Sequence, residues 1–251
     1  ILQKQKGVIF YDLRSSWAVK EVIEANQGTP MMSRVGHAFI KQQIRDNNAI
    51  LAGELSGHYY FSQNYFTESS AMAILYVANI GNVPPTAKDG DGYISKLSTS
   101  GEIIELKWNT DLHAAKGMGK IGNSLFVTNI DEVVEIDINA GSIINRYPVD
   151  SAVFFNDITI SDDSTLYISD SGTNKIHSLK NGEVSLWLKS DKIGGPNGLL
   201  HQGDKMMLAT YESDEYLSIN MATKEITLLS DSLHGGDGVV SYGEDYIVSG
   251  W

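Results

Sequence analysis

Cysteine is absent from this sequence of 251 residues, and proline occurs only five times. The absence of cysteine excludes disulfide bonds, thiolate metal sites and a cysteine nucleophile, although it does not identify a cellular compartment. No unbroken apolar run reaches the length that crosses a bilayer, so we expect no membrane partner. The sequence begins at Ile1 without a methionine or a signal-like segment, and Trp251 directly follows the strand-like stretch YIVSG. We therefore expect truncation at both ends, which makes the missing signal peptide uninformative.

Basic residues are scarce in the second part of the chain, and the formal net charge is -12. Residues 1–74 hold 7 Lys and Arg against 6 Asp and Glu, whereas residues 75–251 hold 12 against 25. An acidic surface repels phosphate backbones and attracts cations. We therefore expect no nucleic-acid partner, and the composition favours a bound cation. The sequence gives no indication of an oligomeric state.

Strand and helix patterns alternate between residue 7 and about residue 61. Three apolar stretches are typical of strands, namely GVIFYDL, MMSRV and NAILAGEL, and two amphipathic ones of helices, namely WAVKEVIEAN and HAFIKQQIRDN. Ser15 or Ser16 can cap the first helix, which we expect to end at Gly28 with Pro30 beyond it. The βαβαβ order predicts a small α/β domain with an open sheet and helices packed on it.

A repeat replaces the helical patterns after residue 75. Predicted turn dipeptides begin at Lys116, Asn156, Asn197 and Asp237, which are 40, 41 and 40 residues apart. The apolar triplets LFV, LYI, MML and YIV follow them at nearly constant distance, and LYV at residues 75–77 would begin an earlier copy. A period near 40 built from short strands predicts four-stranded propeller blades and excludes an α-solenoid. We expect an all-β, incomplete β-propeller of about four to five blades.

The segment SSAMAILYVANIGN, residues 69–82, fits two secondary structures. Ser69 and Ser70 are typical of a helix start, whereas LYV running into Asn79 and Gly81 is typical of a strand entering a turn. We predict a short helix that stops near residue 74 and a strand that begins at Leu75. The predicted domains are therefore residues 1–74 and residues 75–251.

Three motifs in the first part, namely YDLRSS, SRVGHAFIK and GELSGHYYF, resemble the third domain of the phosphohexomutases over residues 4–74. This is the family of phosphomannomutase and phosphoglucomutase. A loop flanked by Gly lets the backbone approach a ligand closely, and Glu54 and Ser56 can bond to vicinal sugar hydroxyls. The resemblance implies phosphosugar contacts from Glu54, Ser56, His58, Arg14 and His37. Alternatively, Ser56 and Gly57 form a simple turn, and the two histidines are surface or capping residues.

The mutase reaction needs parts for which the sequence has no matching segments. The resemblance implies a phosphoserine, an Mg2+ site of clustered aspartates and a separate phosphate-binding domain. Phosphoryl transfer depends on positioning and on neutralising the charge of the transferred group. We therefore expect no turnover from this chain alone, and mutase activity would require a larger assembly.

The motifs FFNDITISDDSTLYISD, GGPNGL and GGDGV resemble the senescence marker protein/gluconolactonase family of six-bladed propellers, which also resembles diisopropyl fluorophosphatase. The resemblance covers residues 75–251 and implies a catalytic Ca2+ held by Asn156, Asn197 and Asp237. Oxygen ligands of this kind suit Ca2+, but the same dipeptides are common turn sequences. The family's metal-binding Glu has no counterpart here, so we expect weak affinity. We do not expect Lys116 at the matching position to be a ligand, because an ammonium group has no acceptor.

Several other polar and aromatic residues of the second part have predicted positions. We expect Asn129 and Asp170 to line the mouth of the same channel or to end their strands. Trp108 and Trp187 are interpreted as packing between blades. Four histidines lack metal-ligand spacing and are interpreted as surface residues, namely His113, His177, His201 and His234.

The sequence thus predicts a composite of two incomplete parts, with a sugar phosphate or a lactone as ligand. As an enzyme, the propeller would be a Ca2+-dependent lactonase or esterase. As an alternative, it is a non-catalytic scaffold or binding module, with neither activity complete in this chain. The mutase resemblance implies a cytoplasmic protein, whereas the propeller part is also compatible with an exported origin. A gene fusion, a rearranged gene or a sequence-assembly error would each produce such a chain, and the truncated ends favour the last.

Overall fold

The computed structural model describes residues 6–55, 59–62, 67–68, 74–82, 84–98, 101–243 and 245–250. These residues form two compact units. The first unit comprises the described residues within 1–76 and 96–106, and the second those within 77–95 and 107–251. Contacts do not locate a junction between sequences of different origin, so the predicted boundary between residues 74 and 75 stays a prediction. No helix in the described part of the chain is long and apolar enough to cross a membrane.

The first unit contains one mixed sheet with the strand order β2-β1-β3-β4-β5. Its elements are β1 (Val8–Asp12), α1 (Trp17–Ala25), β2 (Thr29–Ser33), α2 (His37–Asp46), β3 (Leu51–Gly53), β4 (Tyr59–Phe61) and β5 (Thr67–Glu68). Strand β1 pairs in parallel with β2 and with β3, and β4 and β5 extend the sheet by antiparallel pairing. The βαβαβ order predicted from the hydrophobic periodicity is therefore observed.

The two helices cover opposite faces of this sheet, because successive strand residues point to opposite sides. Phe10 belongs to a buried cluster with Ile40 and Ile44 of α2. Its neighbour Ile9 belongs to another cluster with Ile23 of α1. At the start of α1, the Ser16 hydroxyl accepts a hydrogen bond from the backbone N–H of Ala18 at 3.2 Å, as the predicted cap requires. The helices thus fix the ends of the parallel strands from both sides.

The remaining strands form five further sheets in the described residues. They are β6 (Ile74–Asn79), β7 (Gly92–Ser98), β8 (Ile103–Leu112), β9 (Ala115–Ile121), β10 (Ser124–Asn129), β11 (Glu132–Asp137), β12 (Ile143–Pro148), β13 (Phe155–Ile160), β14 (Leu166–Asp170), β15 (Lys175–Lys180), β16 (Glu183–Lys189), β17 (Pro196–Gln202), β18 (Lys205–Thr210), β19 (Tyr216–Asn220), β20 (Ile226–Ser230), β21 (Gly236–Tyr242) and β22 (Asp245–Gly250). Three sheets are four-stranded, namely β9–β12, β13–β16 and β17–β20. In sequence the three-stranded sheet β6-β7-β8 precedes them, and the two-stranded sheet β21-β22 follows them. This pattern confirms the predicted incomplete propeller.

The predicted strand at residues 75–77 is confirmed, because β6 begins at Ile74. The short helix predicted to stop near residue 74 falls on residues 69–73, which lie outside the described part of the chain. The long connection between β6 and β7 contains the Gly- and Pro-rich stretch that lengthens this copy of the repeat.

The four repeated dipeptides lie in strands, so their prediction as turns is wrong. Lys116, Asn156, Asn197 and Asp237 lie near the starts of β9, β13, β17 and β21, the first strands of four successive sheets. Beside each dipeptide the register of the ladder shifts, which marks a β-bulge. Bulges and turns both favour Gly, Asn and Asp, so the sequence does not distinguish between them.

Hydroxyl groups connect two of the four bulges to the sheet before them. Thr128 of β10 donates its hydroxyl hydrogen to the Asn156 carbonyl at 2.7 Å. Ser169 of β14 makes the same bond to the Asn197 carbonyl, also at 2.7 Å. The first strands also contact one another in the order β9, β13, β17, β21. The residue after Asn197, Gly198, fits this close approach, since an added Cβ would lie 1.9 Å from the Asp237 carbonyl oxygen.

Candidate functional site

The three mutase-like motifs meet at one edge of the first sheet. Strands β1, β2 and β3 run in parallel, so their carboxyl ends lie at the same edge, where α/β sheets commonly bind ligands. The backbone N–H of Leu55 donates to Asp12 Oδ2 at 3.1 Å, which joins the third motif to the first. The Gly36 N–H lies 3.4 Å from Glu54 Oε1 and joins the second motif to the third.

Asp12 is the centre of this arrangement, although its carboxylate is fully buried. It accepts hydrogen bonds from Arg14 Nη2 at 2.6 Å and Arg14 Nε at 3.1 Å, and from the Ser15 hydroxyl at 3.2 Å. Burial alone would raise the pKa of Asp12, but the hydrogen bonds from Arg14 and Leu55 outweigh it and hold the pKa below its usual value. Asp12 therefore stays ionised and fixes both Arg14 and the Leu55 backbone.

The sequence did not identify Asp12 as part of the site. Its only signal is the Asp-x-Arg spacing at the end of a strand, where the Arg14 N–H also bonds to Asp12 Oδ1 at 2.9 Å. Asp commonly bonds to the backbone N–H two residues later, so this spacing is typical of many loops. The hydrogen bond between Asp12 and the Leu55 N–H joins residues far apart in the chain, so no local sequence pattern indicates it.

The predicted phosphosugar contacts are described to different extents. Glu54 is buried, and the side chain of Arg14 is 42% exposed, so its guanidinium remains accessible to a ligand. His37 begins α2, directly after Gly36, but its side chain lies outside the described part of the chain. Ser56 and His58 also lie outside the described residues. The structure thus brings Arg14 and Glu54 to one edge, and the roles of all five residues stay predictions.

A cavity of about 700 Å³ extends from this edge along α1. Its polar end contains Ser15, Ser16 and Glu54. Beyond them the lining is mostly apolar and includes Tyr11 and Val22. A sugar ring has both hydroxyl groups and an apolar face, so a mixed lining of this kind can accommodate one.

The second unit brings two of the predicted metal ligands together. Asn197 is buried, and its Nδ2 donates to Asp237 Oδ1 and to the Gly236 carbonyl, each at 3.2 Å. Asn156 donates through Nδ2 to the Ser171 hydroxyl at 3.4 Å. Ser171 in turn bonds to the carbonyl of the residue before Asn197. The three predicted ligands therefore lie on three adjacent first strands.

Asp157 is a further acidic residue at this place that the sequence interpretation missed. Its Oδ2 accepts a hydrogen bond from the Leu199 N–H on β17 at 2.9 Å, and its Oδ1 accepts one from Ile158 at 2.8 Å. Burial raises the pKa of Asp157 to about 6, the hydrogen bonds partly oppose this, and the negative charge of Asp237 adds to it. One sequence signal could have identified it, because Asp157 is the second residue of its dipeptide and the other three repeated dipeptides have Gly at that position.

This donor set fits Ca2+ only in part. Ca2+ takes six to eight oxygen ligands. Two amide side chains and the carboxylates of Asp157 and Asp237 supply fewer, and Asp157 already uses both oxygens to accept backbone N–H groups. Among the described residues, no group of three or more His, Cys, Asp or Glu could hold a metal ion. We therefore derive no catalytic step through a metal here.

Of the two predicted positions for Asn129 and Asp170, the end of a strand is confirmed, because they are the last residues of β10 and β14. Both side chains are fully buried, so neither lines an open channel mouth. Asn129 Oδ1 accepts hydrogen bonds from the His113 and Ala114 N–H groups, and Asp170 Oδ1 accepts one from Phe154. Both side chains satisfy the backbone that leads into the first strand of their own sheet.

One of the four histidines interpreted as surface residues is buried. His177 is 3% exposed, its ring packs against Phe155 edge-on, and its Nε2 lies 3.9 Å from Asp170 Oδ2. The inward side of β15 accepts it because the flat ring packs against the aromatic ring of Phe155. Trp187 matches its prediction, since it packs against Tyr167 and a cluster that joins two neighbouring sheets.

Comparison with known families supports the mutase resemblance for the first part. Residues 1–97 match the sequence model described as phosphoglucomutase/phosphomannomutase, alpha/beta/alpha domain III. A phosphomannomutase of Escherichia coli strain K12 is 42% identical over 80 residues, which are 32% of this chain and 18% of that protein. A Vibrio cholerae phosphomannomutase is 38% identical over 104 residues, or 41% of this chain and 21% of that protein. The chain thus spans about a fifth of the length of these relatives.

Comparison with solved structures identifies the fold of the second part. Virginiamycin B lyase of Staphylococcus aureus superposes with a TM-score of 0.53 at 19% identity, over 66% of this chain and 58% of the lyase. A chain of a nidogen/laminin complex gives 0.54 at 21% identity, over 64% of each chain. A streptogramin B lyase gives 0.52 at 16% identity, over 80% of this chain and 75% of that one. At these identities the likeness shows a propeller-like fold and nothing about activity.

The chain therefore combines a segment similar to domain III of the phosphohexomutases with an all-β part that folds like a propeller. The matched mutase segment extends to residue 97, beyond the boundary predicted near residue 74. The finer resemblance of the second part to the gluconolactonases stays a prediction.

Proposed function

We propose that the first unit binds a phosphorylated sugar at the carboxyl edge of β1, β2 and β3. The observation that carries this proposal is the convergence of three sequence motifs on Asp12 and Glu54 through the Leu55 and Gly36 backbone. Such long-range bonds fix the backbone at Leu55 and Gly36 before a ligand arrives, which lowers the entropy lost on binding. Similarity to phosphomannomutases over residues 1–97 supports the choice of a phosphosugar.

The proposed contacts divide between the sugar and its phosphate. The Glu54 carboxylate accepts hydrogen bonds from vicinal sugar hydroxyls, and the Ser56 hydroxyl both donates to them and accepts from them. The Arg14 side chain is 42% exposed beside buried Asp12, and its guanidinium is suited to an anionic group. His37 and His58 complete the set as further phosphosugar contacts. The proposal concerns binding alone, and the activity of the whole mutases, of which the chain spans about a fifth, is not assigned to it.

Titration of the full chain with mannose 1-phosphate and glucose 1-phosphate, followed by amide NMR, tests this proposal. We expect shifts at Leu55 and Gly36 and, for Glu54→Gln, about tenfold weaker affinity, which corresponds to about 1.4 kcal/mol. Glu24→Gln is the matched control, since Glu24 pairs with Lys20 on the surface of α1 and should leave affinity unchanged. Absence of shifts, or equal affinities for both variants, would exclude the proposal.

A second candidate function is favoured by the contact between Asn197 and Asp237. We propose weak Ca2+ binding at Asn156, Asn197 and Asp237, with a Ca2+-dependent lactonase or esterase activity as the finer form of this candidate. When bound, Ca2+ would polarise a lactone carbonyl. The incomplete donor set favours the alternative, in which the propeller-like part is a non-catalytic scaffold or binding module.

Thermal melting with and without Ca2+, together with a lactone hydrolysis assay, separates these candidates. The lactonase requires a higher melting temperature with Ca2+, hydrolysis, and loss of both in Asp237→Asn. Asp204→Asn is the control, because Asp204 is exposed in the turn after β17, at the opposite end of that strand from Asn197. Hydrolysis that is insensitive to chelator and to Asp237→Asn excludes the Ca2+ mechanism, and Ca2+ binding without hydrolysis supports the binding module.

A further inference from the structure

A second cavity, of about 300 Å³, lies between the end of β12 and the strands β15 and β16. Its lining combines apolar side chains, such as Val149 and Leu186, with the polar residues Ser151, Lys175 and His177. Ligand pockets in proteins have this mixed character, and the volume of this cavity is at the lower end of their range. The cavity therefore suits a small molecule, and neither proposed site includes it.

His177 is the polar residue of this lining that is almost completely buried. It is 3% exposed, and its Nε2 has no hydrogen-bond partner among the described residues. The Asp170 oxygen 3.9 Å away is beyond hydrogen-bond distance, and that carboxylate accepts hydrogen bonds from the Phe154 N–H and the Thr173 hydroxyl. Buried polar atoms without a partner are rare in native proteins. The imidazole thus retains hydrogen-bonding capacity that this chain does not use, on the wall of a cavity.

Two lysines lie opposite each other on the same face of these strands. Lys175 of β15 is the register partner of Lys189 of β16, so both side chains leave the sheet on one side, where like charges repel. His177, two residues after Lys175, points to that side as well. In the part of the chain that the structure describes, no carboxylate forms an ion pair with either lysine.

This pair of positive charges is a local exception in an acidic part of the chain, where residues 75–251 hold 25 acidic against 12 basic residues. The Lys175 ammonium donates to the Ser151 carbonyl at 3.1 Å, which uses one of its three hydrogens. The other hydrogens remain for a ligand. An anion beside Lys175 would relieve the repulsion between the two lysines, whereas a cation would add to it.

We propose that this cavity binds a small organic anion that has a carboxylate group and a short apolar body. The carboxylate pairs with the Lys175 ammonium, and Lys189 adds positive charge from the neighbouring strand. The apolar body contacts Val149 and Leu186. Leu186 is 55% exposed, so a ligand in the cavity removes apolar surface from water. His177 supplies the hydrogen-bonding group that the chain leaves unused.

Titration of the full chain with butyrate, followed by NMR of the backbone amides and of the His177 ring, tests the assignment. Two matched probes separate the contributions, since butyramide has the same shape without the charge, and inorganic phosphate has charge without an apolar body. We expect butyrate to bind with millimolar affinity, as its few atoms allow, and to shift the signals of the His177 ring and the Leu186 amide. Butyramide and phosphate should each bind about tenfold more weakly.

Substitutions at Lys175 separate the charge from the packing of the side chain. Lys175→Met keeps an apolar stem and should weaken butyrate binding about tenfold, whereas Lys175→Arg keeps the charge and should bind within about twofold of the wild type. Lys205→Met is the control, because Lys205 is exposed at the start of β18 in another sheet. Equal affinities for butyrate and butyramide, or for Lys175→Met and Lys205→Met, would overturn the site. Phosphate binding as tight as butyrate binding would overturn the apolar body of the ligand.

Discussion

Asp12, which is buried, and Asp157, which is half-buried, have opposite pKa shifts, and the difference comes from their donors. Asp12 receives a guanidinium and several N–H groups, which outweigh burial and lower its pKa. Asp157 receives two backbone N–H groups and lies near another negative charge, so burial dominates and its pKa is about 6. At neutral pH the ionised Asp12 stabilises the groups that bond to it, whereas the ionised form of Asp157 is disfavoured.

Replacement of Asp12 should disconnect the loop after β3. Asp12→Ala removes the acceptor for Arg14 and for the Leu55 N–H, so we expect the free energy of unfolding of the first unit to fall by about 3 kcal/mol. Asp12→Asn keeps an acceptor oxygen and should cost less. Urea unfolding followed by tyrosine fluorescence measures the loss, and amide exchange at Leu55 locates it. Unchanged Leu55 exchange in Asp12→Ala would contradict the assigned role.

Ionisation of Asp157 should destabilise the second unit as pH rises. Its folded pKa of about 6 exceeds the unfolded value of 3.8, so between these values the folded state binds more protons, and stability falls with increasing pH. In the presence of a chelator, we expect the wild type to lose roughly 2 kcal/mol relative to Asp157→Asn between pH 4 and pH 7. Urea unfolding at several pH values measures this. Parallel pH profiles for the two proteins would show that Asp157 does not titrate near 6.

At the scale of strands and helices, sequence periodicity is sufficient to predict the βαβαβ unit and the repeated sheets. The apolar alternation of GVIFYDL and the helical spacing around Ile40 and Ile44 each correspond to observed elements. The bulges were not predictable, since the residues that open a ladder also form turns. The burial of His177 was not predictable either, because it depends on Phe155 from another strand. Local signals specify elements, whereas contacts distant in sequence decide the sites.

The close approach at Gly198 gives a test of the bulge arrangement. An added Cβ would lie 1.9 Å from the Asp237 carbonyl oxygen, whereas at the equivalent Gly238 the nearest atom is the Ser249 hydroxyl at 3.2 Å. We expect Gly198→Ala to lower the free energy of unfolding by about 3 kcal/mol, since backbone must move, and Gly238→Ala by less than about 1 kcal/mol. Chemical unfolding of both variants measures the difference. Similar losses would mean that β17 and β21 do not approach as described.

For the whole molecule, the central question is whether the mutase-like and propeller-like parts form one natural polypeptide. Arg45 and Lys88 are successive cleavage sites for trypsin, so a single peptide of residues 46–88 spans the predicted junction. If the composite is natural, we expect mass spectrometry of the native source to detect that peptide and amplification across the same codons to give one product. Detection only of peptides with other continuations would require separate functional descriptions of the two parts.

The repeated bulges separate two kinds of position that protein engineers can treat differently. The first residue of each dipeptide is Lys, Asn, Asn or Asp, so the backbone tolerates different chemistry there. The second residues are Gly117, Asp157, Gly198 and Gly238, and added Cβ atoms at Gly117 and Gly198 would collide with the backbone of the next first strand. A library that varies the first residue of each dipeptide and preserves the second one therefore tests new ligand sets without changing the close approach of successive first strands.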